Sequence, residues 1–420
     1  MKTENTSLIK TFLAKGVNIP TPECVEIGAD VDIGRISGNG VTIHAGCKLF
    51  GSSTLILAGT ILGREGPVTV ENCQIGPHVE LRAGSFINSV FLSGVTMGFG
   101  SHVREGTIME EEASVAHSVD LKQTILFPFV TLGSLINFCD CLMAGGTSRQ
   151  DHSEVGSSFI HFNFTPNQDK ATPSLIGDVP RGVMLNQRPI FLGGQGGLVG
   201  PCRLEFGTIT AAGTIYRKDQ LKPDRLIYER GGQGGNIPFY PGLYRSVKRI
   251  VHNNLIYIAN LMALMQWYNY VRYQFISGEF PEALLVGLKE KLQMAIDERI
   301  RRLEAFSHKM PDSIRVYQET VVENGSSFLI AQKKEIHENW LNLREMLGNL
   351  KDYAGDEKLR DIFLERITSG IRSTGKDYIV VIKSLNPRDS GIGTRWLQEI
   401  VEHIVQNTLK LIPLIKTGKA

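Results

Sequence analysis

Between Met97 and Phe127 a bulky apolar residue stands at every sixth position: Met97, Val103, Met109, Val115, Leu121 and Phe127. A helix repeats near 3.6 residues and a strand near 2, and neither sustains a period of six. Six is the period of a coil with three flat sides, in which each side sends one residue into the core. Such a coil takes about 18 residues, and residues one coil apart stack roughly 4.8 Å from each other, the spacing of neighbouring strands. Sequence spacing then becomes distance.

The step recurs at Ile27 and Ile33, at Ile43, Leu49, Leu55 and Ile61, and at Ile75, Leu81 and Ile87. It returns at Leu192, Leu198, Leu204, Thr210 and Tyr216, and slips near 34–43, 61–75 and 87–97, where residues bulge out. A β-sandwich would show alternation instead. The first half therefore predicts a parallel β-helix. Each coil of such a fold buries its core against its neighbours, so residues 1–235 are expected to fold without the rest.

At 420 residues the chain has room for two or three domains. Its 45 basic and 43 acidic residues leave a net charge of +2, so no bulk field argues for nucleic acid or an anionic membrane. The start, MKTENTSLIK, lacks an apolar secretion core. The most apolar stretch, Leu255 to Val271, carries Asn260, Gln266 and Asn269 and reads as a buried helix, not a membrane span. The six cysteines form no Cys-x-x-Cys pair. They read as small core residues of a cytoplasmic protein, with no metal site expected.

The period of six fades after Tyr216. The expected division is an N-terminal segment over 1–22, a β-helix over 23–219 with a loop insertion at about 145–175, a Gly/Pro-rich linker over 220–242, and an all-α domain over 243–420. Pro281 is placed to open a long helix with Glu and Arg on its exposed side, and Pro311 to end it. Further helices are expected over 329–350, 356–373 and 393–412, and Tyr378–Lys383 could be a short strand or a helix. No catalytic motif appears in this half, which reads as a packing or oligomerisation domain.

Three segments carry a resemblance. They are VREGTIMEEEASVAHSVDLKQTIL (103–126), VGSSFIHFNFTPNQDK (155–170) and FLGGQGGLVGPCRLEFGTITAAGTIYRKD (191–219). The first half resembles the left-handed β-helix acyltransferase domain of bifunctional N-acetylglucosamine-1-phosphate uridyltransferases, over roughly residues 23–219. The resemblance implies a homotrimer that transfers an acetyl group from acetyl-CoA to an amino sugar phosphate. It implies that Arg104, Lys122 and Lys170 hold the phosphate, that Asn163 orients the sugar, that Asn137 stands at a further substrate-binding position, and that Gly194 and Ala212 line the acyl-CoA cleft. The sequence departs from the family in four ways. The uridyltransferase half is absent, so no nucleotidyl transfer is expected. Ser134 falls where the family has its catalytic His, Asn137 replaces a Tyr, and an insertion runs from about Gly145 to Glu154.

The residues can also be read directly. Arg104 and Lys122 each follow an inward residue and lie one coil apart, so two like charges should stack about 5 Å apart. An anion between them removes the repulsion and accepts charge-assisted hydrogen bonds; alternatively they are solvated cations partly neutralised by Glu105 and Asp120. Acyl transfer to an amine needs a proton acceptor, and His suits that role. Two candidates lie near the second segment: His152, in the insertion beside Asp151, and His161, which alternates with Phe159 and Asn163. His44, His78, His102 and His117 read as structural. The run Gly193–Gly197 lacks the Lys-Ser/Thr of a phosphate loop and reads as a device that keeps a coil edge flat. The expected function is an acyl-CoA-dependent N-acyltransferase acting on a phosphorylated amino sugar or nucleotide sugar. The alternative is a non-catalytic sugar-phosphate sensor or scaffold that has lost the base.

Overall fold

A computed structural model describes residues 2–228, 238–245, 247–320 and 327–417. The second glycine run, 231–235, lies outside the described residues. The chain winds through three parallel sheets in turn, a left-handed β-helix followed by an all-α half. Face I has ten strands, from Thr42–Ile43 to Leu226–Ile227. Face II has ten, from Glu26–Ile27 to Ile215–Tyr216, and face III has eight, from Leu55–Ile56 to Arg203–Leu204. The last strand of face I pairs Leu226 with Ile209, so coiling continues beyond residue 219.

The register is the one that a period of six requires. Met97 pairs with Val115, Phe91 with Met109 and Val103 with Leu121, each 18 residues on. The next coil is one residue shorter, because Met109 pairs with Leu126, Val115 with Leu132 and Leu121 with Phe138. Leu126, not Phe127, therefore points inward, and Phe127 packs outside the coil against Gly182. Similar one-residue slips put Ile56, Leu62 and Phe86 inside, in place of Leu55, Ile61 and Ile87. The corners need left-handed backbone. Asn72, Asn88, Gln123 and Asp140 stack at the corner between faces II and III with φ of 52, 46, 51 and 60°. Asn and Asp tolerate this conformation best among residues with a Cβ.

Faces I and II follow the simple pattern of one residue in and one out. Face III does not. Its outward column from Leu55 through Gln74, Val90, Ile108, Ile125 and Leu142 to Leu175 is buried as well as its inward one. The helical half covers it. In chain order the helices are α1 (Lys2–Lys15), α2 (Val179–Gly182), α3 (Val247–Gln266), α4 (Glu282–His308), α5 (Met310–Thr320), α6 (Ser327–Glu338), α7 (Trp340–Asn349), α8 (Glu357–Thr374), α9 (Tyr378–Lys383), α10 (Pro387–Lys410) and α11 (Pro413–Thr417). α4 lies on face III, and α3 packs between α4 and α10.

Local chemistry explains the boundaries. Asp377 accepts from the Val380 amide at 2.9 Å, a side-chain cap that makes Tyr378–Lys383 a helix and not a strand. Pro311 sits in the first turn of α5, where its missing N–H costs nothing, so it opens a helix rather than only ending one. The N-terminal segment is helical. Asn5 of α1 bonds the backbone of Val25 and Ile27 at 3.0 and 2.8 Å, and Phe12 is buried over the first coil. Asn260, which argues against a membrane span, accepts from the Val179 amide at 3.0 Å. Among the described residues no helix is long and apolar enough to cross a membrane.

Buried polar contacts fasten the halves together, Asn260 with the Val179 amide among them. Arg299 of α4 pairs with Asp140 at 2.7 Å, Tyr268 donates to Glu110 at 2.6 Å, and Arg272 pairs with Glu111. The sequence pattern puts Arg299 on the solvent side of its helix, yet it is 2% exposed. Arg272 is wedged against the ring of Tyr378, 3.8 Å from its centroid. Burial pushes Glu110 up to about 7, against the pull of nearby Arg272.

Candidate functional site

Face II is bordered by two corner columns, and the residues singled out in the sequence fall on or beside them. At the corner between faces II and III stand Arg104, Lys122 and Cys139, one per coil. The Arg104 amide donates to Leu121 at 2.9 Å, and Lys122 is the register partner of Cys139. Arg104 Nη2 reaches Cys139 Sγ at 3.7 Å, and its Nε is enclosed without a hydrogen-bond partner. Lys122 Nζ pairs with Glu105 at 2.6 Å. Burial raises the Glu105 pKa, but the Lys122 hydrogen bond and nearby Arg104 outweigh it and hold the carboxyl below its ordinary value. The two cations thus share one corner, one of them already leaning on an acid.

At the corner between faces I and II stand Phe99, His117, Ser134, Ser157, Gly194 and Ala212. A ladder of backbone bonds ties them together. The carbonyls of Phe99, His117, Ser134, Ser157 and Gly194 each accept an amide from the next coil, at 2.8 to 3.0 Å. Gly194 therefore stacks directly on Ser157, and a Cβ there would sit 2.8 Å from the Ser157 carbonyl oxygen. That close approach is the physical reason for glycine in this column. Ser134 Oγ lies 2.8 Å from His117 Nδ1, and the Ser134 amide donates to Ser157 Oγ at 3.1 Å.

Between the corners, the outer surface of face II carries His102, Asp120, Asn137 and Ile160 in register. His102 Nδ1 lies 3.3 Å from Asp120 Oδ1. Asn137 is half-buried at the middle of the strand Ile136–Cys139. Asn163, just past the face II strand Ile160–Phe162, and Lys170 serve the anchor of the helical half. Asn163 Nδ2 donates to Asp140 at 2.6 Å, and the Lys170 carbonyl accepts from Arg299 at 3.3 Å.

The two expected histidines differ in kind. His161 points into the coil, with Nδ1 on the Cys139 carbonyl at 2.7 Å and Nε2 on Ser174 Oγ at 2.8 Å. Burial pulls its pKa down to about 4, against the opposing pull of Asp140. His152 sits on an antiparallel hairpin, Gly146–Ser148 with Asp151–His152. Its Nε2 is 3.8 Å from Glu154, and its Nδ1 is enclosed without a partner. Its neighbour in sequence, Asp151, accepts from Thr147 at 2.8 Å. The insertion does not protrude. Arg149 pins it to face I, donating to the carbonyls of Glu112 and Phe129 and to Thr131 and Ser114 at 2.9 to 3.0 Å.

Two further residues of this surface escape sequence reasoning. Arg149 gives no signal beyond its charge. His117 does, since it precedes Ser134 by 17 residues, one short coil. Beside His117 a groove of about 440 Å³ opens on face I, lined by Arg82, Phe99, Ser114 and Thr131.

No family model matches the chain. Curated relatives do. The bifunctional protein GlmU of Trichlorobacter lovleyi is 26% identical over 223 residues, covering 53% of this chain and 43% of that protein. GlmU of Thermotoga petrophila is 27% identical over 224 residues, covering 50% and 42%. GlmU of Pelobacter propionicus is 26% identical over 211 residues, covering 50% and 40%. The chain matches under half the length of these relatives. They are bifunctional proteins of the kind that the three sequence segments resemble.

Proposed function

We propose that this protein transfers an acyl group, acetyl in the first instance, from coenzyme A to the amine of a phosphorylated amino sugar or nucleotide sugar. The observation that carries the reading is the layout of face II. Arg104 and Lys122 mark one edge, the column through Ser134, Ser157, Gly194 and Ala212 marks the other, and the strand Val119–Lys122 lies between. Three steps of such a strand span about 10 Å, the scale of a sugar phosphate with a reacting group at its far end. In this reading an anion displaces Glu105 from Lys122 and takes charge-assisted bonds from both cations. Asn137 faces the sugar ring, and the pantetheine of acyl-CoA runs along the flat corner at Gly194 and Ala212.

The protein would act as a cytoplasmic homotrimer. Phe191, Ile209 and Leu226 stack as an exposed apolar stripe on face I, a surface suited to a neighbouring copy. All six cysteines are free thiols, as a reducing compartment requires. Incubating the protein with acetyl-CoA and glucosamine 1-phosphate and following thiol release tests the activity. No release with any amino sugar phosphate or nucleotide sugar would refute it. Ser134 at the family's catalytic His position favours the second reading, a sugar-phosphate sensor without chemistry. A sensor needs no acyl donor, so failure to bind CoA would favour it.

A further inference from the structure

The acyl transfer proposed above needs a group to take the amine proton, and the inference that follows rests on that reading. His161 has both ring nitrogens occupied inside the coil, and His152 is folded against face I with one nitrogen enclosed. The corner column offers a third imidazole. We propose that His117, held by Ser134, is the proton acceptor of the reaction, one coil below the position where the resembled family carries its base.

Four observations support this. The His117 side chain is exposed at the corner, and among the described residues its ring makes a single hydrogen bond, through Nδ1 to Ser134 Oγ at 2.8 Å. When Nδ1–H donates to Ser134, Nε2 keeps its lone pair and points away from the serine, free to accept a proton. Ser134 is itself anchored, since its amide donates to Ser157 Oγ at 3.1 Å. The same column continues upward to Gly194 and Ala212, where the acyl donor is placed, while the cations Arg104 and Lys122 lie across face II. His117 also borders the 440 Å³ groove of face I, so the ring stands clear of packed side chains on that side.

The acceptor amine attacks the thioester carbonyl carbon, forming the C–N bond. The amine proton passes to Nε2 of His117 as the tetrahedral intermediate forms. The C–S bond then breaks, the thiolate of coenzyme A leaves, and the imidazolium returns the proton to it. Ser134 touches no reacting atom and acts as a positioning residue.

The test uses the full chain with acetyl-CoA and whichever amino sugar phosphate it acetylates. His117→Ala should lower kcat by roughly 10²–10⁴-fold with little change in KM, and added imidazole should restore part of the rate. Ser134→Ala should lower kcat by a smaller factor, and Ser134→Thr, which keeps the hydroxyl, should recover it. None of the three substitutions should move the unfolding midpoint, because both side chains lie on the coil surface. Full turnover in His117→Ala, with the parent active, overturns the assignment and leaves the acyltransferase reading intact. No turnover in the parent overturns both. An acetyl group found on Ser134 by mass spectrometry, after acetyl-CoA alone, would make the serine a nucleophile and refute its positioning role.

Discussion

Arg299→Met offers the sharpest test of how the two halves are joined. Asp140 sits at a corner of the coil, 4% exposed, with one carboxylate oxygen on Arg299 at 2.7 Å and the other on Asn163 at 2.6 Å. Methionine keeps much of the arginine stem's packing and removes the charge and its donors. The buried carboxylate then keeps a single neutral partner. Breaking a buried pair in this way costs about 3–5 kcal/mol, because an uncompensated charge stays in the interior. The surviving Asn163 bond places the expected loss near the lower end, about 3 kcal/mol. Urea denaturation followed by circular dichroism measures it, with an unchanged m value showing that the folded and unfolded states are otherwise alike. Adding Asp140→Asn removes the stranded charge. Asn tolerates the left-handed backbone that residue 140 adopts, so the double variant should regain most of the loss. The coupling should therefore exceed about 1.5 kcal/mol in the double-mutant cycle. A loss under about 1 kcal/mol for Arg299→Met, or additive effects of the two changes, would refute the view that this pair is a buried fastener.

Other expectations follow from the same structure. Arg104→Ala and Lys122→Ala should each weaken a phosphorylated sugar by about 1.5–3 kcal/mol, roughly 10- to 150-fold, and leave a desphospho sugar nearly indifferent. Calorimetry with both ligands decides, and equal losses would mean that the cations do not hold phosphate. Contrary to the expectation from the coil pattern alone, residues 1–228 by themselves should aggregate or bind a hydrophobic dye, since removing the helices exposes the outer column of face III and strands Glu110, Glu111 and Asp140. Cooperative unfolding of that fragment in solution would show that the coils suffice. His161 should make stability fall on acidification. Its folded pKa is about 4, below the ordinary 6.5, so the unfolded chain takes the proton first. Its contribution is complete above about pH 6.5 and is lost as pH falls towards 4, by about 3 kcal/mol. Glu110, pushed up to about 7, runs the opposite way: its contribution is complete below about pH 4.5 and lost as pH rises through 7. The stability difference between the parent and His161→Gln isolates the first effect, and a difference independent of pH between 4 and 6.5 would contradict it.

How much of this is legible in the sequence depends on which forces write a local pattern. The inward residues of the coil are written at a fixed step because every coil buries one side chain per face. The pattern misleads only where a coil drops or gains a residue, as between Leu121 and Leu126. The cover over face III is also written in the chain. Its strands read Val90-Phe91, Ile108-Met109, Ile125-Leu126 and Leu142-Met143, two apolar residues in a row. Face I reads Thr96-Met97, Ser114-Val115 and Thr131-Leu132, one polar and one apolar. A doubled apolar pair on one face means that both of its sides are covered. The partners of buried charges cannot be read this way. Nothing near Arg299 in sequence distinguishes it from the exposed Arg301, because its partner Asp140 lies 159 residues away. His117 reads as structural for a similar reason. Its link to Ser134 depends on a coil of 17 residues, and a fixed step of 18 sets the two side by side without stacking them.

The same geometry ties the helical half to the proposed site. Lys122, Cys139 and Asp140 are neighbours at one corner: Lys122 pairs with Cys139 across the strands, and the Asp140 amide donates to the Lys122 carbonyl at 2.9 Å. Arg104 reaches the Cys139 sulfur, and Arg299 holds Asp140 from the far side. The cation pair therefore stands on backbone that the helices brace. Burial pushes the Cys139 thiol up to about 11, with Asp140 adding to the rise, so near neutral pH it stays protonated and leaves Arg104 its full charge for an anion. Among the described residues the opposite corner, with His117 and Ser134, has no bond to the helical half and rests on the coil's own bonds. A substitution that loosens the helical half should thus disturb phosphate binding before it disturbs the proton-accepting edge. In Arg299→Met below its unfolding transition, affinity for a phosphorylated sugar should fall while the His117-dependent step keeps its rate at saturating substrate. Equal effects on both would mean that the two edges of face II are mechanically one.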